Sequence, residues 1–176
     1  MKKGDSRKKT GFTIIEVALV LAIAGLIFLM VFVALPQLQR QQRDSRRRDD
    51  ILSFLETVKK YQTNNRGALP DGTGNAIAGG SGTGSENTWQ DFYNNYLGDS
   101  FTDPNGTKYT LEVTECGNTR DNDCKDLPVL DSMDYTLHVY RQATCKDSET
   151  AMGTSNPRNI AVLYRMEGSG IYCANT

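Results

Sequence analysis

The chain has 176 residues, a formal net charge of −1 and 23% charged residues. This length suits one modest domain with an appendage. The near-balanced charge excludes the basic signature of a nucleic-acid-binding domain. The charge is unevenly distributed, because residues 1–11 contain five basic side chains and one acidic side chain. Without these residues the chain would be mildly acidic, at about −5.

The basic leader runs into an apolar segment through residues 8–17, Lys-Lys-Thr-Gly-Phe-Thr-Ile-Ile-Glu-Val. Residues 17–35 carry no charge and, as a helix, would measure about 29 Å, which is enough to cross the hydrocarbon core of a bilayer. A cleaved secretory signal is the competing interpretation, but its apolar region is usually shorter and ends at a small-x-small site. Glu16 stands out because a charge at the end of an apolar helix is costly unless it has a partner or reaches the interface.

The order of Gly11, Phe12, Glu16 and a long apolar run resembles the processing site of type IV prepilins and of the related type II secretion pseudopilins. The resemblance implies that a prepilin peptidase cuts after Gly11 and that the new amine of Phe12 is methylated. It also implies that Glu16 pairs with this amine on an adjacent subunit, which would set the axial register between subunits. The alternatives are a glutamate that snorkels to the headgroups and a glycine that is merely a flexible joint.

The cysteines indicate the orientation of the apolar segment. All four follow it, and an even number suits an oxidising compartment. Equal numbers of basic residues flank the segment, so the positive-inside rule does not decide its orientation. We therefore expect a single-pass protein of the cytoplasmic membrane with its N-terminus inside. By the resemblance, the chain becomes part of an extracellular pilus after assembly.

Helical spacing continues beyond the apolar segment, because Ile51, Leu52, Leu55, Val58 and Tyr61 fall on one helical face. One helix from residue 12 to residue 64 is therefore predicted. The sequence divides into a leader (residues 1–11), a transmembrane or filament-core helix (12–36), an amphipathic helix entering the head (37–64) and a globular head (65–176).

Gly25 and Pro36 are weak points of this helix, since glycine is a poor helix former and proline lacks a backbone donor. The resemblance implies that the helix between such residues can extend in a filament; a simple kink at Pro36 is the alternative. The arginine-rich run 40–48 has three interpretations: contact with anionic lipid, contact with a neighbouring subunit, or a solvated helix face. We favour the last two.

The head is predicted from strand and turn signals. A glycine-rich surface loop (67–85) precedes a short helix (88–97), and strand patterns follow at 108–113, 135–140, 159–165 and 170–173. An antiparallel sheet covered by the amphipathic helix gives an α+β fold, which is also the architecture that the resemblance implies. Residues 61–70 and the Asp-Pro-x-Gly turn at 103–106 are similar to the family's helix exit and pre-strand turn.

Cys116, Cys124, Cys145 and Cys173 allow three disulfide pairings. Proximity in sequence favours Cys116–Cys124 and Cys145–Cys173, and the second would close a C-terminal loop resembling that of many pilins. A zinc site is disfavoured because no close Cys-x-x-Cys pair is present. The oxygen ligands at 121–126 match no EF-hand spacing, so a polar turn is favoured over calcium. We therefore predict no metal and no cofactor.

Enzymatic chemistry has little support, since His138 is the only histidine and no nucleophile or phosphate-loop motif is present. The expected function is that of a structural subunit of a type IV pilus filament, serving adhesion, twitching motility or DNA uptake. The implied partners are other pilin subunits, prepilin peptidase, the assembly platform and the inner membrane, with no specific nucleic acid. The alternatives are a type II secretion pseudopilin and a membrane-anchored binding domain that never polymerises.

Overall fold

The structure is a computed structural model that describes residues 11–72, 74–78, 88–116, 135–147, 151–153, 156–168 and 170–176. The chain forms two compact units, Met1–Gln39 and Arg40–Thr176. The first unit contributes the beginning of a long helix. The second unit contains the remainder of that helix together with all the described strands. From here on, the head means this whole unit, Arg40–Thr176, and not only the predicted residues 65–176.

Helix α1 spans Ile14–Asn64 and contains Pro36. It begins two residues later than predicted and ends where predicted. At its C-terminus, the amide of Gly67 donates to the carbonyl of Gln62 at 2.6 Å, and Gly67 has φ of 85°. A left-handed glycine that bonds back across the last turn is a common helix stop. This local chemistry explains why the end of the helix could be predicted from the sequence.

The head contains a five-stranded sheet in the order β1-β2-β3-β6-β7. Its strands are β1 (Gly74–Ala78), β2 (Thr110–Glu115), β3 (Thr136–Arg141), β6 (Ile160–Arg165) and β7 (Ile171–Asn175). Strands β4 (Ala143–Cys145) and β5 (Ala151–Gly153) form a separate antiparallel pair. The predicted short helix is present as α2 (Trp89–Phe92), which continues into a π-helical turn at Tyr93–Leu97.

The α+β fold, with a long helix packed on a small sheet, is confirmed, but the sheet is not wholly antiparallel. Strands β2 and β3 are parallel, with Thr110 opposite Thr136 and Val113 opposite Val139. Alternating hydrophobicity reports which residues share a face and not the direction of neighbouring strands. Strand β1 was also missed, since it lies within the glycine-rich stretch that we predicted to be a loop.

One face of the sheet packs on the head portion of α1. Ile51, Phe54, Leu55, Val58 and Tyr61 recur every three or four residues and are buried. They meet a core from α2 and the sheet that includes Trp89, Phe92, Leu111, Leu137, Val139 and Val162. Leu52, predicted on the buried stripe, is instead 46% exposed, because it lies off the register set by the residues at 51, 54 and 55.

The opposite face of the sheet is covered as well. Tyr140, Ala161, Leu163 and Cys173 pack there with Ala143 and Ala151 of the β4–β5 pair. His138 lies in β3 and is buried, with its Nδ1 2.9 Å from Oε2 of Glu112 on β2. Strand β3 is therefore buried on both faces.

Candidate functional site

The residues around the predicted cleavage point lie ahead of the helix. Gly11, Phe12 and Thr13 adopt no regular secondary structure, and helix α1 begins at Ile14. The Phe12 side chain is 89% exposed. A Cβ placed on Gly11 would meet no atom within 4 Å. The Gly11–Phe12 peptide bond is therefore outside the helical hydrogen-bond ladder.

Glu16 lies in the first turn of the helix and closes a capping box with Thr13. Its Oε2 accepts a hydrogen bond from the backbone amide of Thr13 at 2.9 Å and another from the Thr13 hydroxyl at 2.8 Å. Reciprocally, the amide of Glu16 donates to the hydroxyl of Thr13 at 3.4 Å, which is a long bond. The Thr-x-x-Glu spacing is the sequence signature of this motif. The motif was missed at the sequence level because only the charge of Glu16 was considered there.

The capping box gives Glu16 a third possible role besides pairing and snorkelling. Both bonds from Thr13 go to one oxygen, Oε2. A carboxylate has about four acceptor positions on its two oxygens, so this one can accept a cation while it caps the helix. Glu16 is also exposed to solvent in the single chain. The geometry is therefore compatible with an ion pair to a second molecule.

The helical residues that follow Glu16 present an apolar surface on all sides. The large hydrophobic side chains between residues 14 and 35 are 48–91% exposed. Among the described residues there is one helix, Ile14–Asn64, that is long and apolar enough to cross a membrane by length and composition. Such a surface is stable only when lipid or another apolar surface covers it. The segment is compatible with a membrane anchor.

The two predicted weak points both lie within α1. A Cβ placed on Gly25 would meet no heavy atom within 4 Å, so the space beside this residue is open. Pro36 is an interior residue of the helix and donates no backbone hydrogen bond. Neither residue interrupts the helix in the single chain.

A cluster of charged side chains lies in the head around Arg47. Its guanidinium is fully buried and donates from Nε to Oδ2 of Asp103 at 2.6 Å and from Nη2 to Oδ1 of Asp103 at 3.3 Å. Nη1 donates to Asp44 at 3.0 Å and to Glu167 at 3.3 Å. Arg43 donates from Nε to Oε2 of Glu167 at 2.8 Å and from Nη2 to Oε1 at 2.5 Å, so Oε2 is shared by the two arginines. We call these five residues (Arg43, Asp44, Arg47, Asp103 and Glu167) the arginine clasp.

The backbone completes the arginine clasp from two turns. The carboxylate of Asp44 accepts hydrogen bonds from the amides of Glu167 and Gly168, each at 2.9 Å. The Asp103 carboxylate also accepts from the amide of Asn105 at 2.9 Å, within the Asp-Pro-x-Gly turn. Two buried carboxylates are thus satisfied by backbone donors as well as by a guanidinium, as buried charges require.

Charge pairing shifts the pKa values in this cluster. Burial disfavours the charged form of Arg47, but its hydrogen bonds to Asp103 and Asp44 outweigh that effect and raise its pKa. The hydrogen bond from Arg43, with help from Arg47, lowers the pKa of Glu167 to about 2. Burial raises the pKa of Asp50, which accepts a hydrogen bond from the Tyr109 hydroxyl at 3.0 Å. Arg43, Arg47 and Glu167 are therefore fully charged at neutral pH.

The arginine clasp corrects the interpretation of the run 40–48 as a solvated face. Arg47 is buried, Arg43 is partly buried against Glu167, and the guanidinium of Arg48 lies 5.3 Å from the ring centroid of Tyr172. Arg40, Arg46 and Arg48 are exposed, so the correction concerns Arg43 and Arg47 alone. The one sequence feature that could have predicted this burial is helical spacing. It aligns residues 40, 43, 44 and 47 with the apolar stripe that begins at Ile51.

The cysteines follow the predicted pairing as far as the structure describes them. Cys145 and Cys173 form a disulfide with a sequence separation of 28. Cys116 is also disulfide-bonded, while Cys124, its predicted partner, lies outside the described residues. The oxygen-rich stretch 121–126 lies outside them too. Within the described ranges, no group of three or more His, Cys, Asp or Glu side chains is placed to hold a metal ion.

Comparisons with known proteins identify no relative of this chain. No protein-family model matches the chain, and neither a curated protein nor a solved structure does so. The function is therefore inferred from the N-terminal motif and from the geometry of the residues around it.

Proposed function

We propose that this chain is a structural subunit of a type IV pilin-like filament, anchored in the cytoplasmic membrane until it is assembled. Prepilin peptidase removes residues 1–11, and the apolar helix then packs against copies of itself in the filament core. The head faces the exterior. Adhesion, twitching motility and DNA uptake are the uses that follow from membership of a surface filament.

The observation that carries the proposal is the N-terminal order of Gly11, Phe12 and Glu16 ahead of an exposed apolar helix. A plain membrane anchor needs an apolar helix, but it needs neither a glycine–aromatic junction outside the helix nor a carboxylate in the first turn. The exposed junction supports proteolytic processing. The accessible carboxylate of Glu16 supports pairing with a newly created amine on a neighbouring subunit.

The capping box provides a way to separate the two roles of Glu16. Glutamine keeps an oxygen that can cap Thr13 but carries no charge. Alanine removes both the cap and the charge. Thr13→Ala removes the hydroxyl of the cap and leaves the charge of Glu16 intact. Cells that contain a prepilin peptidase and a pilus assembly platform would express each variant, and filament yield after shearing would be compared with the amount of membrane-inserted subunit.

Charge pairing predicts that Glu16→Gln and Glu16→Ala insert into the membrane but lose filaments, while Thr13→Ala still assembles. Normal assembly of Glu16→Gln, together with failure of Glu16→Ala and Thr13→Ala, would show that Glu16 acts only as a cap. Intact mass and N-terminal sequencing of the wild-type chain complete the test. A chain that begins at methylated Phe12 is expected, and one that retains residues 1–11 would favour the non-polymerising anchor.

A further inference from the structure

The arginine clasp lies on helix α1 where the helix enters the head, ahead of the buried apolar residues. Arg40, Arg43, Asp44 and Arg47 lie on the same helical stripe as the buried apolar residues, because the spacing of three and four continues from residue 40 to Tyr61. Buried apolar contacts of this helix begin only at Ile51. Over its first two or three turns in the head, the helix is therefore held by charge-assisted hydrogen bonds and not by hydrophobic packing.

The partners of this stripe come from two turns that are far from it in sequence. Asp103 belongs to the turn before β2, and Glu167 and Gly168 belong to the turn between β6 and β7. Each turn fixes its own carboxylate or amide through the local backbone, as shown by the Asp103 bond to Asn105 and by the Met166 amide bond to Gly170 at 2.7 Å. The clasp thus joins one helix segment to two preorganised turns.

The part of helix α1 just before the arginine clasp lacks one backbone hydrogen bond. Pro36 lacks a backbone donor, so one rung of the helical ladder is missing only a few residues before Arg40. Helix formation is cooperative, so a loss of helical order at Pro36 would favour the same loss in neighbouring residues that no tertiary contact holds. Arg40 lies 3.8 Å from Glu167, and the first side chain of the head that hydrogen-bonds to a distant turn is Arg43, followed by Asp44 and Arg47.

We propose that the arginine clasp is a conformational stop that keeps residues 40–47 helical when the helix loosens around Pro36. Loosening then ends before it reaches Ile51 and the hydrophobic core. This role does not require polymerisation. It operates in any state in which the head is attached to a flexible or stretched apolar helix.

Hydrogen–deuterium exchange of the full chain in detergent micelles tests the proposal. Glu167→Gln keeps the side-chain volume and the backbone amide bond to Asp44, but it removes the anion shared by Arg43 and Arg47. We expect amides 41–47 to exchange about tenfold faster or more, since a hydrogen bond between charged groups is worth about a factor of ten to one hundred. Amides 55–61 and those of β3 should keep the wild-type rate.

Tyr109→Phe is the matched control, because it removes the hydrogen bond to Asp50 one turn further along the same helix. In the Tyr109→Phe variant, amides 41–47 should exchange at the wild-type rate. Unchanged exchange of these amides in Glu167→Gln would overturn the proposal. A uniform acceleration over the helix and the sheet would also overturn it, since the clasp would then act on global stability alone. Correct or failed processing at Gly11 is read separately from intact mass, so the result is independent of the proposed filament function.

Discussion

The buried guanidinium of Arg47 offers the most direct test of how the head is held together. Arg47→Met preserves much of the side-chain volume but removes the only buried cation described between Asp44 and Asp103. Four hydrogen bonds disappear with it, two to Asp103 and one each to Asp44 and Glu167. The two aspartates keep their backbone donors but lose their counter-charge.

Removal of one partner from a buried ion pair costs about 3–5 kcal/mol, because the remaining charge stays buried without its counter-charge. For a head of this size, 1 kcal/mol corresponds to a Tm change of about 3–5 °C. Arg47→Met should therefore lower the Tm by about 9–25 °C. Asp103→Asn should cost less, since the amide oxygen still accepts one bond from a guanidinium that keeps Asp44 and Glu167.

The single tryptophan makes the measurement simple. Trp89 is 1% exposed and packs on Phe54 and Phe92 in the core of the head, so its fluorescence reports unfolding of that unit. Arg46→Met is the control, since Arg46 is the preceding arginine and is exposed. Its effect should remain within about 0.5 kcal/mol. If Arg47→Met and Arg46→Met unfold within about 1 °C of each other, the buried cluster contributes little and the reasoning is refuted.

Two further predictions concern the same unit. The pKa of Glu167 lies near 2 in the fold against an ordinary 4.5, so its ionised form stabilises the head above about pH 4.5 and that contribution is lost as the pH falls toward 2. Glu167→Gln should therefore flatten the acid limb of the stability curve measured by Trp89 fluorescence, and an unchanged limb would contradict the assignment. Replacement of Cys145 and Cys173 by serine opens a loop with a sequence separation of 28 and should cost about 3–4 kcal/mol by loop entropy. Urea unfolding would measure this loss, and a value below about 1 kcal/mol would contradict it.

The two ends of the long helix illustrate what local sequence can determine. Thr13 and Glu16 have the spacing of a capping box, and Gly67 provides the left-handed stop, so both ends of α1 follow from short-range chemistry. Residues 17–35 can be identified as an apolar span by composition alone. The positions of β2, β3, β6 and β7 were also predicted within a few residues, because alternation of apolar side chains is a local pattern.

The tertiary structure decided what depends on partners distant in the chain. Arg47 is buried only because Asp103 and Glu167, 56 and 120 residues away, reach it from two turns. Strand direction in the β2–β3 pair and the burial of His138 depend on how the chain crosses the sheet and on what covers its second face. A sequence pattern predicts which side chains share one face of a strand or helix. Which residues contact that face is decided by the packing of the whole head.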